Sequence, residues 1–121
     1  MATQPSKQLE VVPNPHPDRD YEVNITIPEF TCICPRTGQP DFATIRIRYI
    51  PDQHLVELKS LKLYIWSYRN EGAFHEDVTN RILNDFTAAA RPRWIEVVGD
   101  FNMRGGIKTE VTITHGKRPD L

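Results

Sequence analysis

Residues 57–90 read ELKSLKLYIWSYRNEGAFHEDVTNRILNDFTAAA, two helical patterns in immediate succession. From about Glu57 to Arg69, Leu58, Leu61, Ile65 and Tyr68 fall on one side at helical spacing, while Lys59, Lys62, Trp66 and Arg69 fall on another. The break at Asn70 to Ala73 contains Gly72, and a second helix begins around His75. Val78, Ile82, Leu83 and Phe86 mark its apolar stripe, and Pro92 closes it. What flanks this pair decides the fold class.

Upstream, Val23, Ile25 and Ile27 alternate with Glu22, Asn24 and Thr26, the period of a strand with one wet face, which Pro28 is expected to end. The segment Glu29 to Asp41 holds Pro35, Gly38, Pro40 and both cysteines, and reads as an ordered loop. Ala43, Ile45, Ile47 and Tyr49 then alternate with Thr44, Arg46 and Arg48 until the Pro51-Asp52 turn. Downstream, Trp94 to Phe101 reads as a third strand and Arg104-Gly105-Gly106 as a turn. Ile107, Thr109, Val111 and Ile113 alternate with Lys108, Glu110, Thr112 and Thr114 as a fourth.

The order β-β-α-α-β-β predicts an α+β domain: an antiparallel four-stranded sheet with two consecutive helices on one face. The other face, with Arg46, Arg48, Lys108 and Glu110, is too polar for a monomer core. It faces water, either outside or in a channel. Sheets joined edge to edge into a barrel by oligomerisation would remove the exposed edges, and the residues alone leave both arrangements open.

At 121 residues, 39% hydrophobic and 26% charged, the chain has the size and composition of one globular domain. Residues 1–20 carry Pro5, Pro13, Pro15 and Pro17 without a sustained apolar period and are expected to be a disordered or extended arm. The domain is expected over 21–117, with a C-terminal tail at 118–121. A net charge of −1 argues against a broad nucleic-acid-binding surface. The absence of a long apolar run or an apolar N-terminal core leads to the expectation of a cytoplasmic protein with no membrane partner. Cys32 and Cys34, one residue apart, make a disulfide framework implausible, so reduced thiols are expected.

Cys34 sits in a loop marked by proline and glycine, where partial exposure and a lowered pKa would suit a nucleophile; the alternative is a small buried hydrophobe. Asp41 lies seven residues on, within reach of the sulfur if the loop folds back, but also where turn and cap residues are common. His75, Glu76 and Asp77 open the second helix and suit its dipole. Equally, a carboxylate there offers two adjacent acceptor oxygens for the ring N–H and amine of a guanine-like ligand. Lys59 and Lys62 form a ridge able to meet phosphate or merely a solvated face. With no Gly-x-Gly-x-x-Gly element, a dinucleotide would not bind in the Rossmann manner. Cys32, Cys34, His54 and His75 have none of the usual spacing of a zinc site, so no metal is expected.

Several of these residues combine into a recognisable pattern. Phe30-Thr-Cys-Ile-Cys34-Pro-Arg-Thr-Gly-Gln-Pro-Asp41-Phe resembles the catalytic loop of the 7-cyano-7-deazaguanine reductases (the QueF family, short single-domain type). Glu57-Leu-Lys-Ser-Leu-Lys-Leu-Tyr64 resembles their cofactor motif, Phe74-His75-Glu76-Asp77 is a third match, and Arg104-Gly105-Gly106 is similar to a family turn. Together the matches span roughly Tyr21 to Lys117.

The resemblance implies the tunnelling fold shared with GTP cyclohydrolase I, in which subunits close into a barrel, here as a homo-oligomer of stacked pentamers (a decamer) with sites between subunits. It implies NADPH-dependent reduction of the nitrile 7-cyano-7-deazaguanine to the aminomethyl product, in the queuosine pathway of tRNA modification. Cys34 would form a covalent thioimide and Asp41 would donate the proton. Val56, Glu57, Leu58, His75 and Glu76 would bind the deazaguanine, and Lys59 and Lys62 would serve NADPH. Two other readings compete. A pterin hydrolase of the same fold would need a metal set not found in this sequence. A nucleotide-binding or redox-sensing module would leave the co-occurrence of Asp41 with the 57–64 motif unexplained.

Overall fold

A computed structural model describes residues 3–121. In chain order its elements are β1 (Val11–Pro13), β2 (Val23–Ile33), β3 (Pro40–Ile50), β4 (His54–Val56), α1 (Leu58–Trp66), α2 (His75–Ala90), β5 (Trp94–Arg104) and β6 (Ile107–Gly116). The main sheet runs β2-β3-β5-β6, with every neighbouring pair antiparallel. Both ends of that sheet, β2 and β6, are edges in the single chain.

The alternation read in the sequence puts Ile45, Ile47 and Tyr49 of β3 on the helix-facing side, where Ile95, Val97 and Phe101 of β5 join them, all at most 2% exposed. Leu61 and Tyr64 of α1 and Val78, Ile82 and Phe86 of α2 complete the same core. Burying each such side chain is worth roughly 1.5–3 kcal/mol, which holds two helices with short connections on one face. Inside this core the Tyr64 hydroxyl donates to Asp85 Oδ2 at 2.6 Å and lies 2.8 Å from the Tyr68 hydroxyl. Gly99 allows a close approach of α2 to the sheet, because a Cβ there would overlap the Thr79 hydroxyl.

The opposite face is a lattice of cross-strand ion pairs. Arg48 reaches Glu22 and Glu96, each at 3.1 Å, and Arg46 reaches Asp100 at 3.2 Å. Lys108 also pairs with Asp100. The expected C-terminal tail contributes here, since Arg118 pairs with Glu22 at 2.8 Å and lies 4.3 Å over the Trp94 ring.

The first strand does not end at Pro28. It runs on to Ile33, with a register shift between Ile27 and Phe30 that accommodates the proline. This is possible because β2 is an edge strand and one of its sides needs no ladder donor. The loop expected over 29–41 is consequently confined to 34–39, and Asp41 belongs to β3.

Met1 and Ala2, at the start of the expected arm, lie outside the described residues. From Ser6 onward the arm runs extended against the body: Ser6 N–H donates to Leu63 O, Glu57 N–H to Glu10 O, and Val11, Val12 and Pro13 pair with Val56, Leu55 and His54. The packed unit therefore reaches well before Tyr21. A three-residue strand pair is too short to leave a period that sequence reading can detect.

Candidate active site

The catalytic-loop candidate hangs between two strands and is pinned at its base. Ile33 N–H donates to Glu71 O, and Ala73 N–H donates to Ile33 O. These bonds carry the start of α2, with His75 and Glu76, to the same end of β2 as Cys34. Within the loop, Cys34 N–H donates to Gln39 O and Gly38 N–H donates to Cys34 O, each at 2.9 Å. Gly38 supplies the positive φ of +73° that this tight closure needs.

The partly exposed Cys34 thiol stands over the turn this closure makes. The Thr37 hydroxyl, then the backbone N–H groups of Thr37 and Arg36, hold its pKa below that of an ordinary thiol, because all three donate to the thiolate. Cys32 is the opposite case. Its side chain is fully buried, and desolvation, with the Asp41 charge nearby, pushes its thiol up to about 11. The two thiols thus sit in opposite environments, Cys34 partly exposed with a lowered pKa and Cys32 buried with a raised one.

Asp41 is opposite Cys32 in the β2–β3 register and only 5% exposed. Both carboxylate oxygens are engaged: Oδ1 lies 2.6 Å from Arg104 Nη1 and Oδ2 lies 3.2 Å from His75 Nε2. The His75 imidazole stacks on the Phe101 ring at 3.8 Å, with 6° between the planes. Glu76 is exposed on the first turn of α2. Cys34, Thr37, Asp41, His75, Glu76 and Arg104 all line one cavity of about 400 Å3, within the usual range for a small-ligand site. A thiol of lowered pKa, a buried carboxyl group and an exposed carboxylate thus converge on one space.

Residues 40–120 match the family model described as QueF-like protein. The NADPH-dependent 7-cyano-7-deazaguanine reductase of Anaeromyxobacter sp. (strain K) is 66% identical over 119 residues, covering 98% of each chain. The relative of the same name from Thermomicrobium roseum is 68% identical over 112 residues, covering 93% of this chain and 88% of its own. This chain belongs to the QueF family. Its fold also matches the crystal structure of the apo archaeosine synthase QueF-Like, with a TM-score of 0.75 at 23% identity, over 81% of this chain and 96% of that one.

The remaining site residues expected for a QueF chain lie elsewhere in this fold. Val56 is buried at the end of β4. Glu57 caps α1, where its carboxylate accepts from the N–H groups of Lys59 and Ser60 at 2.7 Å each. Those two bonds hold its pKa below the usual carboxylate value. Leu58 is 63% exposed, and Lys59 and Lys62 are exposed on α1. Leu58 and Lys62 line a separate cleft of about 710 Å3 between β2 and α1, with Trp66 and Arg69, which shares no lining residue with the Cys34 cavity. Of the residues expected for a QueF site, Leu58 and Lys62 therefore line a different concavity from Cys34, and Val56, Glu57 and Lys59 line neither.

Arg104 and Thr37 stand at the Cys34 cavity although no site role for either was read from the sequence. Arg104 was assigned to a turn, and the sign available was its place at a hairpin end, before two glycines that both take positive φ. Thr37 carried no sign beyond its closeness to Cys34.

Proposed function

We propose that this chain is an NADPH-dependent nitrile reductase that converts 7-cyano-7-deazaguanine to 7-aminomethyl-7-deazaguanine in queuosine biosynthesis, through a thioimide on Cys34. The observation that carries this reading is the convergence of Cys34, Asp41, His75 and Glu76 on one cavity, in a chain two-thirds identical to reductases of that name.

A nitrile is a poor hydride acceptor, and covalent addition activates it. The Cys34 thiolate adds to the nitrile carbon, and the nitrogen takes a proton from the Asp41 position to give the thioimide. Asp41 is suited to this because it is buried beside the loop, and His75 on its Oδ2 offers a route for replacing the proton. Glu76 holds the ring N–H and exocyclic amine through its paired oxygens, and His75 packs beside the base. After the first reduction the carbon–sulfur bond breaks, Cys34 leaves as thiolate, and the resulting imine stays held by the same contacts.

NADPH, when bound, supplies the two hydrides of the four-electron reduction. The larger cleft fits it in donor chemistry: the exposed ammonium of Lys62 and the guanidinium of Arg69 suit phosphates, and the half-buried Trp66 suits a ring. Lys59, on the same helix, adds a second ammonium.

Since Leu58 and Lys62 line that second cleft, away from Cys34, we infer that subunits complete one another's sites in a ring closed edge to edge. A decamer of stacked pentamers would turn the ion-pair lattice toward a wet tunnel. Among the described residues no helix is long and apolar enough to cross a membrane. We assign the reaction to the cytoplasm, where both thiols stay reduced.

The test is the absorbance of the protein with 7-cyano-7-deazaguanine alone, beside Cys34→Ala, followed by NADPH consumption. A Cys34-dependent thioimide band and subsequent NADPH oxidation are expected. Tight binding with neither band nor turnover would overturn the mechanism.

A further inference from the structure

Arg104 ends β5 just before the Gly105-Gly106 turn, after a register shift that begins at Phe101. Such an irregularity re-aims the side chains that follow it. Here it sends one guanidinium across to three consecutive residues of β3 and the loop before it. Nη1 donates to Pro40 O at 2.8 Å and to Asp41 Oδ1 at 2.6 Å, and Nη2 donates to Gln39 Oε1. Gln39 in turn accepts the Cys34 N–H through its carbonyl. A chain of contacts thus runs from the Cys34 backbone through Gln39 and Arg104 to Asp41.

We propose that Arg104 is the positioning residue of the reaction, fixing the Asp41 carboxyl and the loop closure so that sulfur and proton donor face the same nitrile. The inference rests on the thioimide reading above. Asp41 has two oxygens and two partners: His75 holds one oxygen from α2, and Arg104 holds the other from the β5–β6 turn. Removing Arg104 frees one oxygen and takes the guanidinium from the Gln39 side chain and Pro40 O, so the carboxyl can rotate about the remaining His75 contact. Glu76 and His75 stand on α2, and Arg104 makes no hydrogen bond to either, so the base should still be held. Lysine cannot substitute. Its ammonium is a single point of charge, whereas the planar fork reaches three acceptors from two nitrogens.

The experiment is stopped-flow measurement of the thioimide band with 7-cyano-7-deazaguanine and no NADPH, for the full-length wild type, Arg104→Ala, Arg104→Lys, Gln39→Ala and Asp41→Asn. Calorimetry gives the nitrile affinity in parallel. Leaving out NADPH removes any contribution of Arg104 to cofactor phosphates. Misplacing a reacting group by about 1 Å can cost on the order of 100-fold, so Arg104→Ala is expected to form thioimide about 10- to 100-fold more slowly, with nitrile affinity changed less than about threefold. Arg104→Lys should recover little of that rate, and Gln39→Ala, which removes one contact and no charge, should show a smaller loss of the same kind. The pH profile of thioimide formation in Arg104→Ala should move toward that of Asp41→Asn.

Thioimide formation at the wild-type rate in Arg104→Ala, with any defect confined to KM for NADPH, would overturn the inference while leaving the mechanism standing. A loss of nitrile affinity equal to the loss of rate would also overturn it. Absence of the band in the wild type would sink the thioimide reading and this inference together.

Discussion

Replacing Gly99 by alanine tests how tightly the fold sets the site. Gly99 lies on β5 beneath α2, where an added Cβ would overlap the Thr79 hydroxyl and stand 3.0 Å from Phe101 Cε1 and 3.4 Å from Thr79 Cγ2. Thr79 is fully buried and its hydroxyl donates to His75 O at 2.8 Å, so it has nowhere to retreat without moving the start of α2. Overpacking of this kind costs typically 1–3 kcal/mol. With the Thr79 hydroxyl overlapped, the cost sits in the upper part of that range, about 2–3 kcal/mol, and since alanine recovers roughly 0.5–1 kcal/mol of backbone entropy against glycine, the net loss is about 1–2.5 kcal/mol. With a urea slope of about 2 kcal/mol/M, the unfolding midpoint should fall by about 0.5–1.25 M at fixed protein concentration. Thr79→Ala alone should cost about 1–2 kcal/mol, from one hydrogen bond and one methyl group. In the double variant the new methyl occupies the space the threonine vacates, so its loss should be no greater than that of Thr79→Ala alone. Far-UV circular dichroism reads all four proteins of the cycle. An unchanged midpoint in Gly99→Ala, or a double-variant loss equal to the sum of the two singles, would refute the close-packing argument. Because His75 is bonded to Thr79 and stacks on Phe101, thioimide formation in Gly99→Ala should slow as well.

Three further outcomes follow from the same structure. Native protein treated with iodoacetamide should take one label per chain, on Cys34 and not Cys32, as mass spectrometry would read. The rate should rise with pH at lower values than for a free thiol, and Thr37→Ala should move that rise upward by removing the first donor to the thiolate. On the wet face, Arg48 holds the Glu22 carboxyl below its usual pKa, and Lys108 with Arg46 does the same for Asp100. A depressed folded pKa gives stability that is present above the unfolded value, near 4, and lost as pH falls through the folded one; melts of Arg48→Met should therefore show a shallower acid loss than the wild type. Burial, with the Asp85 hydrogen bond second, pushes the Tyr64 hydroxyl far up. Tyr64→Phe should lower stability by roughly 1–3 kcal/mol in urea unfolding, since it leaves Asp85 and Tyr68 each short of a partner.

How much of this was legible depends on the length over which a pattern repeats. The alternation at Ala43 to Tyr49 and the helical spacing at Val78 to Phe86 run long enough to assign both face and element. The β1–β4 pair is three residues on each side, below any period, and its partners are more than 40 positions apart. A proline removes a ladder donor, which marks Pro28 as a strand end; that rule holds for a central strand and fails at an edge. Sheet order, which makes β2 an edge, is a tertiary fact that no local window contains.

The site divides along the same line. Cys34 and Asp41 stand out by residue type and motif, but their relation is set by register: the continuation of β2 past Pro28 makes Cys32 the partner of Asp41 and turns that carboxyl inward. Had β2 ended at Pro28, Asp41 would be a loop residue open to water, with no reason to meet His75. The His75 and Arg104 contacts with Asp41 bridge 34 and 63 positions along the chain and depend on the Ile33–Gly72 bridge and on the β5 register shift. Neither has a composition or a period to betray it. Leu58 and Lys62 present the reverse case, residues of a motif legible in sequence that line a different concavity from Cys34. A motif records which residues a reaction uses, whereas the fold of one chain decides only which of them that chain can bring together.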